Sequence, residues 1–269
     1  VTVVGADPGK NSDGTTAVPT TTVTSKLISS VEHYGGIVGR AIGVDRIGDK
    51  MASSFIVKDI KTLTSSNGKT ITYNYGGVAG ETAKSNNSLY FNVNNVIADM
   101  DNGVTSITAK NIGGVVGCSN ESSMIDICNI KVSGNFKNAN ITRNAGLVAY
   151  MGGGAVRLSG TTDLSDVVIN GSKKEIGQLV GTHSSLVFAE RGWTFIRQTT
   201  PQKISDFGDW GEVVRLDGFE NNKYPFTYNE SNHTVTTNKV VDNKVANIST
   251  KEDFAALAIA RAVLLAALL

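Results

Sequence analysis

One short phrase returns five times along this chain of 269 residues. It is Tyr34-Gly35-Gly36-Ile37-Val38-Gly39, then Tyr75-Gly76-Gly77-Val78-Ala79-Gly80, then Ile112-Gly113-Gly114-Val115-Val116-Gly117. It returns as Asn144-Ala145-Gly146-Leu147-Val148-Ala149 and as Ile176-Gly177-Gln178-Leu179-Val180-Gly181. The steps between starts are 41, 37, 32 and 32 residues. Self-similarity at such a period marks a repeat architecture, in which each unit buries its apolar side against the next.

The order of events within each unit identifies the kind of repeat. A small polar turn follows the glycine phrase (Ser53-Ser54, Ser122-Ser123, Ser184-Ser185), and then comes an apolar or alternating run. Phe55-Ile56-Val57, Leu89-Tyr90-Phe91-Asn92-Val93, Met124-Ile125-Asp126-Ile127-Cys128 and Leu186-Val187-Phe188 are such runs. A further β-like stretch, as at Ile71-Thr72-Tyr73, Ile107-Thr108-Ala109 and Ile141-Thr142, leads back to the next phrase. Paired glycines and β-branched residues weaken helices, so a helical solenoid is disfavoured. Three short strands per unit predict an all-β fold, a parallel β-helix (β-solenoid) of about five or six coils. An antiparallel meander stays open as the alternative, although it does not need a turn phrase repeated in register.

The glycine columns have a mechanical reason. A coil that turns a corner needs either positive φ or close approach to the next coil, and both favour glycine. Gly35, Gly76, Gly113 and Gly177 are expected to stack, with Ala145 as the variant. Gly36, Gly77, Gly114 and Gly146 form the second column. Ile37, Val78, Val115, Leu147 and Leu179 are expected to form an inward ladder. Side chains alternate along a strand, so a regular strand would turn Val38, Ala79, Val116, Val148 and Val180 outward as an apolar stripe wanting cover. A bulge at the glycine pair would instead turn both columns inward. The sequence leaves the two readings open.

Composition narrows the function classes. Charged residues are only 18% of the chain, and 25 basic against 24 acidic residues leave a net charge of +1. With no basic block, nucleic-acid binding has no electrostatic support. Cys118 and Cys128 are too few for a disulfide scaffold, and no histidine stands beside them to complete a zinc site. They flank a turn within one coil, and are read either as a bridge or as two ladder thiols. Seven Asn-x-Ser/Thr sequons are about what chance supplies in a chain so rich in Asn, Ser and Thr. The chain opens without Met or a secretory leader, which fits a trimmed product.

The Gly-Gly-(Ile/Val/Leu)-Val-Gly phrase, its serine-rich turn and runs such as Ser123-Met124-Ile125-Asp126-Ile127-Cys128-Asn129-Ile130 resemble the GLUG-motif repeats of secreted bacterial surface proteins, some of them adhesin-like or IgA-peptidase-like. The resemblance covers roughly residues 27–200. It implies an extracellular, cell-surface β-solenoid acting as stalk, display surface or adhesin, and it carries over no catalytic residue. Ala145, Ala149 and Gln178 depart from the pattern.

Three segments are expected: solenoid repeats over residues 1–200, with the first thirty or so as a degenerate capping coil; a β-rich cap over 201–248; and a helix over 249–269. Tyr224 to Thr236 reads as a hairpin with its turn at Asn229-Glu230-Ser231-Asn232. Ser249 and Glu252 make a capping box before a run that is apolar almost all round, about 30 Å long as a helix. Phe254, Leu257, Leu264 and Leu265 are its candidate covering residues. Only sixteen residues follow Asp253, Arg261 among them, against the roughly twenty that a membrane span needs. Docking on the solenoid or on a neighbour is the preferred reading. In GLUG-type proteins a stretch like Ile248–Phe254 opens a new module, so the chain is expected to end just inside one.

The motifs that could carry chemistry are incomplete. Gly5-Ala6-Asp7-Pro8-Gly9-Lys10 is one residue short of a phosphate loop and has Asn11 in place of Ser or Thr. Asn11-x-Asp13-Gly14 lacks the first and twelfth calcium ligands, and Asp99-Met100-Asp101-Asn102-Gly103 reads as a surface turn. Asp126, Asp163 and Asp166 are candidates for a polysaccharide-cleaving site, but no paired pattern recurs at the repeat spacing. His33, His183 and His233 are isolated. Tyr90, Phe91, Trp193, Phe195 and Trp210 are candidates for sugar stacking, with core packing as the default. No cofactor or metal is expected.

The function expected is an extracellular structural protein, not an enzyme: a solenoid module or self-assembling subunit of a surface layer, stalk or fibre. Its partners are expected to be further copies of itself or cell-envelope components. The alternatives are a carbohydrate- or host-binding adhesin module and, behind it, a β-helical polysaccharide lyase or hydrolase.

Overall fold

The computed structural model describes residues 1–43, 53–84, 89–100, 108–120, 124–137, 143–152, 155–170, 176–177, 179–183, 186–189, 193–196, 226–229 and 234–237. Within them the chain is an all-β, parallel β-solenoid. Each of the first four repeats contributes two short strands and a long one, and the fifth contributes the two short strands. The first short strands are β3 (Val31–Gly35), β6 (Ile71–Gly76), β9 (Asn111–Gly113), β12 (Arg143–Ala145) and β15 (Ile176–Gly177). The second are β4 (Val38–Gly43), β7 (Ala79–Lys84), β10 (Val116–Ser119), β13 (Val148–Met151) and β16 (Val180–His183). Each set forms a five-stranded sheet in strict repeat order. The long strands β5 (Ser53–Ser65), β8 (Leu89–Met100), β11 (Met124–Lys137) and β14 (Ala155–Asn170) stack in parallel as the third sheet.

The glycine phrase is the corner between the two short strands. Gly35 pairs with Gly76, Gly76 with Gly113, Gly113 with Ala145 and Ala145 with Gly177, so the first glycine column stacks as the period predicts. The glycines of the corner do not need positive φ. They are forced by crowding: a Cβ on Gly113 would lie 2.0 Å from the Val116 carbonyl oxygen, and one on Gly114 2.0 Å from that of Gly146.

The corner also decides which way the next two residues face. The N–H groups of Val115 and Val116 both donate to the Leu147 carbonyl at 2.9 Å, and those of Leu147 and Val148 both donate to Leu179 at 3.0 Å. In a regular strand successive N–H groups point to opposite neighbours. Here they point the same way, so the side chains also fail to alternate. Val78, Val115, Leu147 and Leu179 are buried, and so are Ala79, Val116, Val148 and Val180. Ile37 and Val38 pack against the same core. The outward stripe is therefore corrected: the Val38 column is core, turned in by the corner. Each such buried aliphatic side chain contributes about 1.5–3 kcal/mol.

The long strands complete the core with Phe55, Phe91, Ile125 and Val156 in one ladder and Val57, Val93, Ile127 and Leu158 in the next. Phe55 and Phe91 stack with centroids 5.5 Å apart. These strands are not straight. Asp59, Asn95 and Asn129 have φ of 56, 51 and 51, and Gly160 has φ of 61. The register places Asp59 beside Asn95 and Asn95 beside Asn129, and shifts just beyond Cys128, where Gly160 and Thr161 face Asn129. The long sheet therefore bends along one left-handed column. The bend also shifts the phase of alternation: inward positions are Phe55 and Val57 before it, and Ile60, Thr62 and Thr64 after it. Side chains hold the column, since Asn95 Nδ2 donates to Asp59 Oδ1 at 2.6 Å and Asn129 Oδ1 accepts from the Thr161 N–H at 3.0 Å.

The amino-terminal residues add β1 (Thr2–Val4) and β2 (Thr21–Lys26), both parallel to β5. At the other end β17 (Leu186–Ala189) and β18 (Thr194–Ile196) lie on β14. Then β20 (Thr234–Thr237) pairs antiparallel with both β18 and β19 (Phe226–Asn229), with Asn229 opposite Thr234. Residues 249–269, with Phe254, Leu257, Leu264 and Leu265, lie outside the described residues.

Candidate functional site

The bend column is also where the chain leaves the stack. Val4 pairs with Lys58 and Thr21 with Ile60, so residues 5–20 are looped out opposite Asp59 alone. This arm is tied at its root: the Gly5 N–H donates to the Lys58 carbonyl at 2.9 Å and the Ala6 N–H to Thr21 Oγ1 at 2.8 Å. Its tip is a small hairpin in which Lys10 pairs with Thr16. Asp13 Oδ1 accepts the Thr15 N–H at 2.9 Å and its hydroxyl at 2.6 Å, and these bonds hold the Asp13 carboxyl below its ordinary range. Asp7 Oδ1 accepts the Gly9 N–H at 2.8 Å. Asp13, the carboxylate of the calcium-loop comparison, is thus a turn acceptor, as is Asp7.

The arm lies over the outer face of β8, β11 and β14, where Asn95 Nδ2 donates to the Ala17 carbonyl at 3.1 Å. Between arm and sheet is a cleft of about 490 Å³. Lys10, Thr15, Thr16 and Val18 line its arm side. Asn95, Ile97, Asn129, Lys131, Thr161 and Asp163, from three successive strands, are among the residues of its floor. Ile97, Lys131 and Asp163 stand in one register column. Lys131 Nζ lies 2.7 Å from Asp166 and 3.5 Å from Asp163, and Asp166 first, then Asp163, raise the Lys131 pKa against its desolvation.

Two further clusters lie on the coils. Glu81 is buried, with Arg40 Nε at 2.9 Å, His33 Nε2 at 3.2 Å and the Asn120 amide also on its carboxylate. Asn74 bonds His33 Nδ1 at 3.0 Å and Asn111 donates to Asn74 at 2.7 Å, so a polar ladder climbs the first short strands. Cys118 is buried nearby. Desolvation, with Glu81 second, pushes its thiol up to about 12, unlike an activated nucleophile. No disulfide joins Cys118 and Cys128.

The second cluster is Asp126, which accepts from Tyr90 at 2.7 Å and Asn92 at 3.3 Å, with Arg157 at 3.4 Å. Burial, then Asp126, holds the Tyr90 hydroxyl well above its ordinary value. Asp126 precedes the bend and Asp163 follows it, so the carboxylates picked out in the sequence do not fall in one column. Each is instead tied to a cation.

The other residues singled out in the sequence fall as follows. Phe91, Trp193 and Phe195 are core residues, and Trp193 Nε1 donates to Thr162 Oγ1 at 2.9 Å. Tyr90 is buried against Asp126, so these aromatics offer no stacking face; Trp210 lies outside the described residues. His183 pairs with Met151 in β13 and β16. The surface-turn reading of residues 99–103 is corrected in its first half: Asp99 and Met100 belong to β8, with Met100 fully buried, while residues 101–103 and His233 lie outside the described residues. Among the described residues no helix is long and apolar enough to cross a membrane.

Sequence reasoning missed the bend and the cleft. The bend had a signal in Lys58-Asp59-Ile60, Asn94-Asn95-Val96 and Cys128-Asn129-Ile130: a small polar residue before a β-branched one, 36 and 34 residues apart. Asn and Asp tolerate the left-handed region better than other side chains. No family model, curated protein or solved structure matches the chain.

Proposed function

We propose that this chain is an extracellular structural protein, a solenoid module or self-assembling subunit of a cell-surface layer, stalk or fibre. The GLUG-like phrase, now placed at a crowded corner, is consistent with that family. The observation that carries the reading is the first rung. Among the described residues β1, β2, β3 and β4 each pair on one side only. Val4, Ile28 and Ile42 at that same end are 53%, 90% and 42% exposed. Unpaired strand edges beside exposed apolar side chains are a template for pairing with another chain.

Sedimentation of the full chain over a hundredfold concentration range, with electron microscopy of the same samples, tests this. Concentration-dependent polymers are expected. A double Ile28→Lys, Ile42→Lys variant should abolish them without moving the melting temperature. A monodisperse monomer throughout, or polymers indifferent to those charges, rejects the assembly reading.

A further inference from the structure

We infer that the cleft beneath the amino-terminal arm binds a neutral oligosaccharide, laid along the solenoid axis across β8, β11 and β14. The inference is independent of the assembly reading, since the cleft lies on the side of the stack and not at its end.

Three observations carry it. The cleft, at about 490 Å³, falls within the usual range of roughly 300–1,000 Å³ for small-ligand sites. Its lining is amphipathic in the way a sugar ring is. The bonds that shape the bend and the arm leave the Thr161 hydroxyl, Asn95 Oδ1, Asn129 Nδ2 and the Thr16 hydroxyl proton for ring hydroxyls, while Val18 and Ile97 offer apolar surface to ring C–H faces. Val18 is 69% exposed, so its apolar surface is open to a ligand.

The second observation is periodicity. The floor is a stack of rungs about 4.8 Å apart. Asn95, Asn129 and Thr161 place one hydrogen-bonding residue at the bend on each rung. An extended sugar chain repeats its hydroxyls at a comparable spacing, so successive sugars meet similar groups.

The third is charge. Lys10 and Lys131 stand against Asp163 and Asp166, so the cleft as a whole is close to neutral. A polyanion would meet two carboxylates as well as two lysines, and would gain little. The arm that forms the other wall is pre-shaped by its own bonds, Lys10 Nζ to Thr16 Oγ1 at 2.9 Å among them, so closing on a ligand orders little extra chain. With no aromatic stacking face, recognition rests on hydrogen bonds, and the affinity is weak.

The test is titration of the isotope-labelled full chain with cellohexaose, maltohexaose and chitohexaose, and with hexagalacturonate as the charged counterpart. Saturable shifts are expected from at least one neutral hexasaccharide. They should fall together on the amides of Lys10–Val18, Asn95–Ile97, Asn129–Lys131 and Thr161–Asp163. Thr161→Val should weaken binding by about fivefold, and Val18→Trp, which fills the cleft from an exposed site, should abolish it with the melting temperature unchanged. If no neutral hexasaccharide gives saturable shifts there, if hexagalacturonate binds more tightly than all three, or if neither variant alters binding, the inference is wrong.

Discussion

Each coil turns its chain in two ways, and the two turns work by opposite means. At the Gly-Gly corner the backbone keeps ordinary dihedrals, and glycine is favoured because carbonyls of its own turn (first column) and of the neighbouring coil (second column) crowd the place of a Cβ. At the bend of the long strand there is room for a side chain, but the backbone is left-handed, and Asp59, Asn95 and Asn129 supply side chains that tolerate it and bond along the stack. One turn excludes side chains and the other uses them. Substitutions should therefore fail differently at the two places.

The largest effect is expected at the corner. Gly114→Ala puts a methyl 2.0 Å from a backbone carbonyl that has no freedom to retreat, and should cost about 4 kcal/mol or more in denaturant unfolding. A cost near that of an ordinary surface change would break the crowding account. Next comes Asn95→Val at the bend, which imposes a β-branched side chain on a left-handed backbone and deletes two hydrogen bonds. About 2–3 kcal/mol is expected from the same measurement. Asn129→Gly is the sharper comparison, because it keeps the left-handed backbone and removes only the side-chain bond to Thr161. It should cost about 1 kcal/mol, well below Asn95→Val, and equal losses would show that dihedral strain is not what the bend selects against.

The mildest probe needs no mutation. Cys118 lies just past a corner glycine, with its thiol pushed up from 9.0 to about 12 by burial. It should resist a thiol reagent at pH 8 in native protein and react on unfolding. The unfolded thiol ionises first, so the stability tied to this group is full below its unfolded value of 9.0 and declines as pH rises toward about 12. Rapid native labelling of Cys118 would show that the strand beyond the corner is not sealed.

The corner was legible in the sequence because crowding acts on residue type. Glycine dominates it, with Ala145 the exception, so the phrase repeats visibly and its register is as the period predicts. The direction of the Val38 column was not legible. It depends on two successive N–H groups sharing one carbonyl, which is backbone geometry with no residue signature of its own. The bend was half legible. Asp, Asn and Gly all satisfy it, so the column varies in identity and merges with the abundance of Asn elsewhere. The cleft was not legible at all, because its walls come from residues 10–18 and from three strands between 95 and 163, which meet only once the coils are stacked.

The arm shows what the bend permits. Sixteen residues leave between Val4 and Thr21, yet both flanking strands keep their register on β5 and only Asp59 lies opposite the gap. Loop closure grows only slowly with length, by about 0.6 kcal/mol per doubling. The gap opposite Asp59 is thus a ready graft point. Foreign segments inserted there would project sideways from a scaffold whose rungs need not shift, and the solenoid could gain new surfaces without lengthening by a single coil.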